Sequence, residues 1–235
     1  IARRLAAEGA RLTLLGRALG ALQRFAATLP GSAAAKPLAC DVTDAAQVGT
    51  AFDAARAAHG PLAILVNNAG QAATAPLAKT DDAMWARMLA VNLTGSFLCT
   101  RAALPDMLAA RAGRIVNVAS TAGLRGYAYC SAYAAAKHGV VGMTRALALE
   151  VAAQGITVNA VCPGFTDTEI VDESVRRIVE RTGRSADAAR AELVRHNPQG
   201  RLVRPEEVAA LVAWLCGDEA AAVHGQALAV SGGEA

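Results

Sequence analysis

Aromatic residues are scarce in this chain: they make up 4% of its 235 residues, whereas apolar residues together make up 54%. There is no run of Lys or Arg with interleaved aromatic side chains, which is the surface typical of nucleic-acid binding. The net charge of +3 is also too small to indicate an anionic membrane as a partner. We therefore expect neither nucleic acid nor a membrane among the partners of this protein.

Paired cysteines are lacking as well. The five cysteines are widely separated and form no C-x-x-C pair, which argues against a disulfide framework or a zinc site. The four histidines share no metal-ligand spacing, so we expect no metal; they are His59, His138, His196 and His224. No stretch approaches the roughly 20 apolar residues of a membrane-spanning helix. Unpaired thiols of this kind lead us to expect a cytoplasmic protein.

The chain does have a regular alternation of short apolar runs and longer amphipathic segments. The apolar runs, which predict strands, are residues 11–15, 36–40, 62–66, 114–119, 157–161 and 226–230. The segments with helical spacing are residues 18–29, 44–59, 81–112, 131–153 and 205–217, together with the opening residues Ile1, Leu5 and Ala6. Repeated strand–helix units predict a parallel sheet with helices on both faces, and nearly continuous apolar strands are typical of such burial.

Residues 166–204 interrupt this alternation. They are rich in charge, contain no predicted strand, and have the spacing of two short helices divided at the T-G-R-S sequence of residues 182–185. Because the segment directly follows a strand end, where open α/β sheets bind ligands, we expect it to be a lid over the site. The alternative is a solvated surface insertion.

Tyr133 and Lys137 give the strongest chemical signal. They are four residues apart, so they lie on one face of a predicted helix, and Ser120 precedes Tyr133 by thirteen residues at the end of a strand. A phenol with its ordinary pKa near 10 is a poor acid or base at neutral pH. A neighbouring ammonium lowers that pKa, so the pair predicts an acid–base tyrosine.

Other polar or glycine-rich segments accompany this pair. Residues 67–70 (N-N-A-G) and 163–168 (P-G-F-T-D-T) each follow a predicted strand, as Ser120 does. Residues 92–95 (N-L-T-G) lie inside a long predicted helix, where Asn and Gly are poor helix formers. We expect these segments to converge on one crevice at the carboxyl edge of the sheet.

In these motifs and in their order, the chain resembles the short-chain dehydrogenase/reductase family, NAD(P)-dependent oxidoreductases with a Rossmann fold. The resemblance extends over essentially the whole chain. It implies a single α/β domain over residues 1–235, with a doubly wound parallel sheet in three α/β/α layers.

The family's catalytic Asn, Ser, Tyr and Lys correspond to Asn92, Ser120, Tyr133 and Lys137. The resemblance implies that Tyr133 is the general acid for ketone reduction, or the base for alcohol oxidation, while Ser120 holds the substrate oxygen. It implies that Lys137 lowers the pKa of Tyr133 and binds the ribose next to the nicotinamide. It also implies that Asn92 anchors a water of a proton relay, at a distortion of its helix.

The resemblance further implies the binding residues. Besides Tyr133 and Lys137, those for the cofactor are Asn68, Ala69 and Gly70 at the adenine ribose, Asp41 and Val42 at the adenine ring, and Pro163, Gly164, Thr166 and Thr168 at the nicotinamide carboxamide and the phosphates. Those expected to line the substrate pocket are Ser120, Leu124, Tyr127 and Tyr129.

Arg17 bears on the choice of cofactor. At the end of the second strand of such folds, an acidic residue binds the ribose 2′-hydroxyl and repels a 2′-phosphate. This chain has Gly16 and Arg17 there, and arginine is a charged, forked donor that suits phosphate. We therefore favour NADP(H) over NAD(H); the alternative is an ordinary surface arginine.

Within the family, the segments around Tyr133 and after residue 155 are most similar to those of 3-oxoacyl thioester reductases, including polyketide ketoreductases. The resemblance implies NADPH-dependent reduction of a 3-oxoacyl group on acyl carrier protein or coenzyme A. The alternatives are an NAD-dependent dehydrogenase of a hydroxy acid or other secondary alcohol and, from another class, a non-catalytic dinucleotide-binding regulator.

The resemblance also bears on assembly and partners. The family commonly forms tetramers through the helices that correspond to residues 91–112 and 131–153, so we expect a homotetramer. Four arginines near the predicted lid would suit an acidic carrier or a thioester phosphate, although a solvated helix face explains them too; they are Arg176, Arg177, Arg181 and Arg184.

The opening helix corresponds to one that, in the family, follows a first strand and a glycine-rich turn at the pyrophosphate. In the usual strand order that first strand lies between the strands predicted at residues 11–15 and 62–66. We therefore expect the natural protein to begin some 20 residues earlier.

Overall fold

The computed structural model describes residues 1–30 and 35–235, and each of the six apolar runs forms a strand within about two residues of its predicted bounds. The strands are β1 (Leu12–Gly16), β2 (Ala35–Ala39), β3 (Ile64–Asn67), β4 (Gly113–Val118), β5 (Ile156–Pro163) and β6 (Ala227–Val230).

The helices also lie where the sequence predicts them, with one division. They are α1 (Ala2–Ala7), α2 (Leu19–Ala26), α3 (Ala45–His59), α4 (Asp82–Leu89), α5 (Gly95–Ala110), α6 (Ser131–Val151), α7 (Glu169–Thr182), α8 (Ala186–Val194) and α9 (Pro205–Cys216). The long helix predicted over 81–112 is divided by a π-helical turn at Ala90–Thr94, which joins α4 to α5. Within the described part of the chain, no helix is both long and apolar enough to span a bilayer.

All strand pairs are parallel. β1 pairs with β2, and β3, β4, β5 and β6 pair in that order. Among the described residues no strand pairing joins β1 to β3, although Leu15 of β1 and Leu65 of β3 pack against the same apolar cluster. The carboxyl ends of the parallel strands meet at one edge of the sheet, which positions the site. That a further strand precedes α1 stays a prediction.

The core lies on both faces of the sheet, as the apolar strands predict. Neighbouring residues of β4 point to opposite faces: Ile115 packs with Phe52 of α3 and Met107 of α5, whereas Val116 packs with Val212 of α9. All five side chains are almost completely buried. The prediction of a single Rossmann-like α/β domain with three layers is confirmed.

The segment over residues 166–204 contains two helices, α7 and α8, divided as predicted. Gly183, at φ +67°, ends α7 in the left-handed conformation that glycine adopts readily, and the Ser185 side chain caps α8. The two helices share a small apolar cluster around Val171 and Leu193, against which Phe165, just before the segment, packs.

Candidate active site

Asn92 lies in the π-helical turn and is almost fully buried. Its side chain bonds mainly to backbone: Nδ2 donates to the carbonyls of Gln71 (2.9 Å) and Met88 (3.0 Å), and Oδ1 accepts from the Gln71 N–H (3.2 Å). Its backbone carbonyl accepts a bond from the Ser96 hydroxyl at 3.3 Å. The side chain therefore fixes the turn to the segment after β3.

Ser120 is the second residue after the end of β4, with Ala119 between them. Its backbone is in the extended conformation. Its Oγ accepts a hydrogen bond of 3.1 Å from the Ala122 N–H, which caps a single turn of 3₁₀ helix. Because this bond uses a lone pair of Oγ, the hydroxyl proton remains available for a neighbouring oxygen. The serine is thereby oriented as a donor.

Tyr133 and Lys137 lie one turn apart near the start of α6. Lys137 is 4% exposed; its Nζ donates to the carbonyl of Val118 at 2.9 Å and lies 5.7 Å from the centre of the Tyr133 ring. The ammonium thus connects α6 to the end of β4, two residues before Ser120. The predicted one-face arrangement of the two side chains is confirmed.

Burial controls the pKa values of this pair. It lowers the pKa of Lys137 to about 8 and raises the pKa of Tyr133, with hydrogen bonding by Ser120 as the opposing effect. Removal from water disfavours phenolate and ammonium alike, and the ammonium faces the ring while its bond goes to a carbonyl. That Lys137 lowers the pKa of Tyr133 stays a prediction.

A cleft of about 1120 Å³ opens at the carboxyl edge of the sheet. Most of the predicted site residues line it, namely Asn68, Ala69, Gly70, Asn92, Ser120, Tyr127, Tyr129, Tyr133, Lys137, Pro163, Gly164, Thr166 and Thr168. Residues of α7 line it too, so the segment 166–204 forms one of its walls. The convergence of strand ends that the sequence predicts is confirmed.

Comparisons with known proteins agree with this architecture. A family model described as enoyl-(acyl carrier protein) reductase matches residues 1–234. A granaticin polyketide synthase putative ketoacyl reductase of Streptomyces violaceoruber is 43% identical over 99% of this chain and 87% of its own length. A cis-4-hydroxycyclohexanecarboxylate dehydrogenase of Sinomonas cyclohexanicum is 44% identical over 99% of this chain and 89% of its own.

A solved structure agrees as well. A variant of actinorhodin polyketide ketoreductase, crystallised with NADPH, superposes with a TM-score of 0.96 at 40% identity, over 100% of this chain and 91% of that one. The chain belongs to the short-chain dehydrogenase/reductase (SDR) family. It is accordingly an oxidoreductase that acts on CH–OH or ketone groups with a nicotinamide dinucleotide.

The SDR cleft fits such a dinucleotide in two respects. The Lys137 ammonium has three donors, and Val118 takes the single hydrogen bond it makes within residues 1–30 and 35–235. A Cβ at Gly70 would lie 3.0 Å from Oδ1 of Asn92 and 3.6 Å from Nζ of Lys137, so a side chain there would fill the approach to both. The ammonium N–H donors of Lys137 lie beside a glycine without a side chain, and this arrangement suits the hydroxyls of a ribose.

Four predicted binding residues do not line the cleft. Arg17 is exposed at the end of β1, close enough to Asp41 for its charge to help lower the pKa of that carboxyl, although bonds from Thr43 contribute most. Val42 packs on Gly95, where a Cβ would approach it to 2.7 Å. The placement of Leu124 in the substrate pocket is wrong, because Leu124 packs against an apolar cluster that includes Val140.

Buried polar side chains that the sequence analysis passed over connect the elements of the site. Asn67 donates to Thr100 of α5 (3.0 Å) and to Asn117 of β4 (2.8 Å), and Asn117 donates to Thr144 of α6 (2.8 Å). This chain of four residues ties the helices that flank the sheet to β3 and β4. A polar residue that recurs within apolar strands, as in I-L-V-N and R-I-V-N-V, is the signal that could have found it.

Proposed function

We propose that this SDR reduces a ketone to a secondary alcohol with NADPH, and that its substrate is a 3-oxoacyl group on a thioester. The observation that carries the proposal is the meeting of Ser120, Tyr133 and Lys137 in one cleft. The names of two similar proteins support it, since one is a putative ketoacyl reductase and the other is a polyketide ketoreductase crystallised with NADPH.

The acid–base chemistry follows from the groups that line the cleft. The nicotinamide supplies a hydride for the carbonyl carbon when it is bound. Tyr133 donates its phenolic proton to the carbonyl oxygen, which becomes the hydroxyl of the product. Ser120, whose proton is available, donates a hydrogen bond to the same oxygen and polarises it. Lys137 holds the ribose hydroxyls, and the Asn92 carbonyl holds a water through which the proton of Tyr133 is replaced.

Burial of Tyr133 favours the protonated form of its hydroxyl. A phenol with a raised pKa keeps its proton at neutral pH, which is the state required of a general acid. Reduction produces the phenolate and oxidation starts from it, so this burial does not by itself select a direction. Our reason for placing ketone reduction ahead of alcohol oxidation is the similarity to a putative ketoacyl reductase and to a polyketide ketoreductase.

A second candidate is oxidation of a hydroxy acid with NAD. The similarity to a cis-4-hydroxycyclohexanecarboxylate dehydrogenase favours it, because that relative is 44% identical over almost the whole chain. The two candidates differ in cofactor and in direction, so one set of assays separates them.

Turnover should be measured with acetoacetyl-CoA and with 3-hydroxybutyrate, each with both forms of the nicotinamide cofactor. We expect the fastest reaction with acetoacetyl-CoA and NADPH. Crotonyl-CoA, which offers a carbon–carbon double bond and no ketone, should not be reduced. Faster turnover of 3-hydroxybutyrate with NAD would favour the second candidate.

The variant Tyr133→Phe distinguishes the proposal that this protein is an enzyme from the alternative that it is a non-catalytic, dinucleotide-binding regulator. Removal of the proton donor should lower kcat by roughly 10²–10⁴-fold, the usual contribution of general acid catalysis. Binding of NADPH, followed by its fluorescence, should remain within about threefold, because the ring and Lys137 stay in place. Full activity of the variant would contradict the acid role.

An acidic carrier protein is the partner we propose for the arginines of α7. Arg177 and Arg181 donate to backbone carbonyls of the segment after β3 (Ala72 and Thr74), whereas Arg176 is exposed. Arg176→Glu should therefore raise KM for an acetoacetyl group on acyl carrier protein and leave KM for acetoacetyl-CoA unchanged. Equal effects on both substrates would contradict carrier recognition.

We also propose a homotetramer. Four large apolar side chains on the outer helices are exposed, which is the kind of surface that a second copy covers. They are Trp85 of α4, Phe97 and Leu108 of α5, and Leu149 of α6.

A further inference from the structure

A buried carboxylate lies behind one wall of the cleft. The side chain of Glu234, in the segment after β6, is 2% exposed. Its Oε1 accepts a hydrogen bond of 2.6 Å from the hydroxyl of Tyr127, and its backbone carbonyl accepts one of 2.9 Å from Arg125. Its Oε2, beside Gly164, has no hydrogen-bond partner in residues 1–30 and 35–235. Burial of such a group is costly unless polar or charged neighbours compensate it.

The imidazole of His196, which follows α8, lies beside this carboxyl group. Its Nδ1 lies 3.8 Å from Oε1 of Glu234. The imidazole packs on the ring of Phe165, with centroids 5.0 Å apart and planes tilted by 31°, and meets the ring of Tyr127 edge-on at 5.9 Å. Tyr127, Phe165 and His196 all line the cleft. One nitrogen of the imidazole thus faces a buried carboxylate while two aromatic rings hold its plane.

This arrangement prepares the other nitrogen of His196 for a ligand. A carboxylate beside one ring nitrogen orients the imidazole and leaves its second nitrogen turned away from that carboxylate. Nε2 makes no hydrogen bond to any described residue, and the ring is part of the cleft wall. An imidazole N–H in the wall of a cleft suits an oxygen acceptor.

We propose that His196 is a specificity-determining residue that binds a second oxygen of the substrate, separate from the reacting carbonyl. Glu234 and Tyr127 are positioning residues that hold its ring. The ligand chemistry is a hydrogen-bond-accepting oxygen, either the carboxylate of an oxo acid or a further carbonyl such as that of a thioester. This inference rests on the proposed ketone reduction and defines the substrate class for it.

The test compares three ketones that differ in the second oxygen: 4-oxocyclohexanecarboxylate, cyclohexane-1,4-dione and cyclohexanone. The main variant is His196→Phe, which keeps an aromatic ring beside Phe165 and removes both nitrogens. We expect kcat/KM for 4-oxocyclohexanecarboxylate to fall by roughly 10–100-fold, the effect of losing one hydrogen bond to a charged group. The loss should lie mainly in KM, and cyclohexanone should change by less than about twofold.

Glu234→Gln tests the positioning role. It keeps an acceptor oxygen for the Tyr127 hydroxyl and removes the charge that faces His196, so it should produce a smaller loss with the same substrate preference. In the double variant the two losses should not add, because both remove one interaction. Glu219→Gln, at an exposed carboxyl that does not line the cleft, is the matched control and should change none of the three rates.

The outcomes separate the possible sources of the oxygen. Dependence on His196 with cyclohexane-1,4-dione and not with the carboxylate would assign the site to a carbonyl. Equal losses with all three ketones, or no loss with any, would overturn the inference, since a merely structural ring does not discriminate among them.

Calorimetric binding of cyclohexanecarboxylate, which has no ketone, makes the test independent of turnover. We expect its Kd to rise roughly tenfold or more in His196→Phe. If the protein reduces no ketone yet binds this acid through His196, the proposed function fails and the oxygen site stands. If the protein reduces ketones, and wild type and His196→Phe bind the acid equally well, the oxygen site fails and the proposed function stands.

Discussion

Asn92 and Gln71 exchange two hydrogen bonds, one from the Asn92 side chain to the Gln71 carbonyl at 2.9 Å and one from the Gln71 N–H to Asn92 Oδ1 at 3.2 Å. The segment that begins at Gln71 also accepts a bond from Arg177 of α7, at the carbonyl of Ala72 (3.0 Å). The π-helical turn, this segment and the wall formed by α7 are therefore one connected unit. A change at the turn is expected to reach the cleft wall.

Asn92→Leu should destabilise the protein and lower turnover. The leucine is close in size but leaves the N–H and carbonyl of Gln71 without their partner, which typically costs about 1–3 kcal/mol for a buried group. Urea denaturation and kcat are the measurements. Asn68→Ala, at an exposed asparagine of the same sheet edge, should change stability by less than about 0.5 kcal/mol. If Asn92→Leu had the same unfolding free energy as the wild type, the two hydrogen bonds between Asn92 and Gln71 would not contribute to stability.

Arg17→Ala should change the cofactor preference. Loss of a charged donor at the end of β1 should raise KM for NADPH by roughly 10–100-fold and leave KM for NADH within about twofold, because only NADPH carries the 2′-phosphate. Steady-state kinetics with both cofactors measure the effect. Arg11→Ala, which also removes an exposed arginine beside β1, is the control. If KM changed equally for NADPH and NADH, Arg17 would not be a residue that binds the 2′-phosphate.

The buried Lys137 should leave a signature in the dependence of stability on pH. Its pKa is about 8 in the folded protein and 10.5 ordinarily, so between these values the unfolded chain binds the extra proton. Stability should therefore rise with pH across this window, by an amount of the order of 3 kcal/mol. Below about pH 8 the full cost of burying the ammonium is present.

Lys137→Met provides the comparison for that rise. The variant has no ammonium to desolvate, so the difference in unfolding free energy between wild type and variant should shift in favour of wild type as the pH increases from 8 to 10.5. Denaturation in matched buffers measures this difference. A constant difference would mean that Lys137 keeps its ordinary pKa.

Leu149→Glu should disrupt assembly. Leu149 is 84% exposed on α6, and a carboxylate buried against a second copy would cost several kcal/mol. Size-exclusion chromatography with light scattering should show a smaller species than the wild type. Leu77→Glu, at a residue 68% exposed outside the long helices, is the control and should leave the assembly intact. A monomeric wild type would contradict the tetramer itself.

Much of this fold could be predicted because its strands are short, apolar and separated by amphipathic helices. The division at Gly183 could be predicted as well, since glycine beside polar residues ends a helix. The resemblance to the family implied the helix distortion at Asn92, and the poor helix formers within that long helix agree with it. These features depend on neighbours in the sequence.

The remaining features depend on pairs of residues far apart in the chain. Tyr127 and Glu234 are separated by 107 positions, and no local pattern predicts that the phenol donates to that carboxylate. Leu124 looked like a pocket residue by its position after Ser120, yet packing against α6 turned it inward. The pKa of Tyr133 likewise depends on the depth of burial, which spacing along a helix does not give.

The polar chain from Thr100 through Asn67 and Asn117 to Thr144 has a consequence for how this sequence can vary. Each of the two asparagines bonds to the next residue through a buried side chain, so replacement of one by an apolar residue leaves an unmatched amide or hydroxyl on its neighbour. Apolar replacement of all four together avoids that penalty. The four positions are therefore expected to covary among relatives. A redesign of this sheet would have to replace all four residues together.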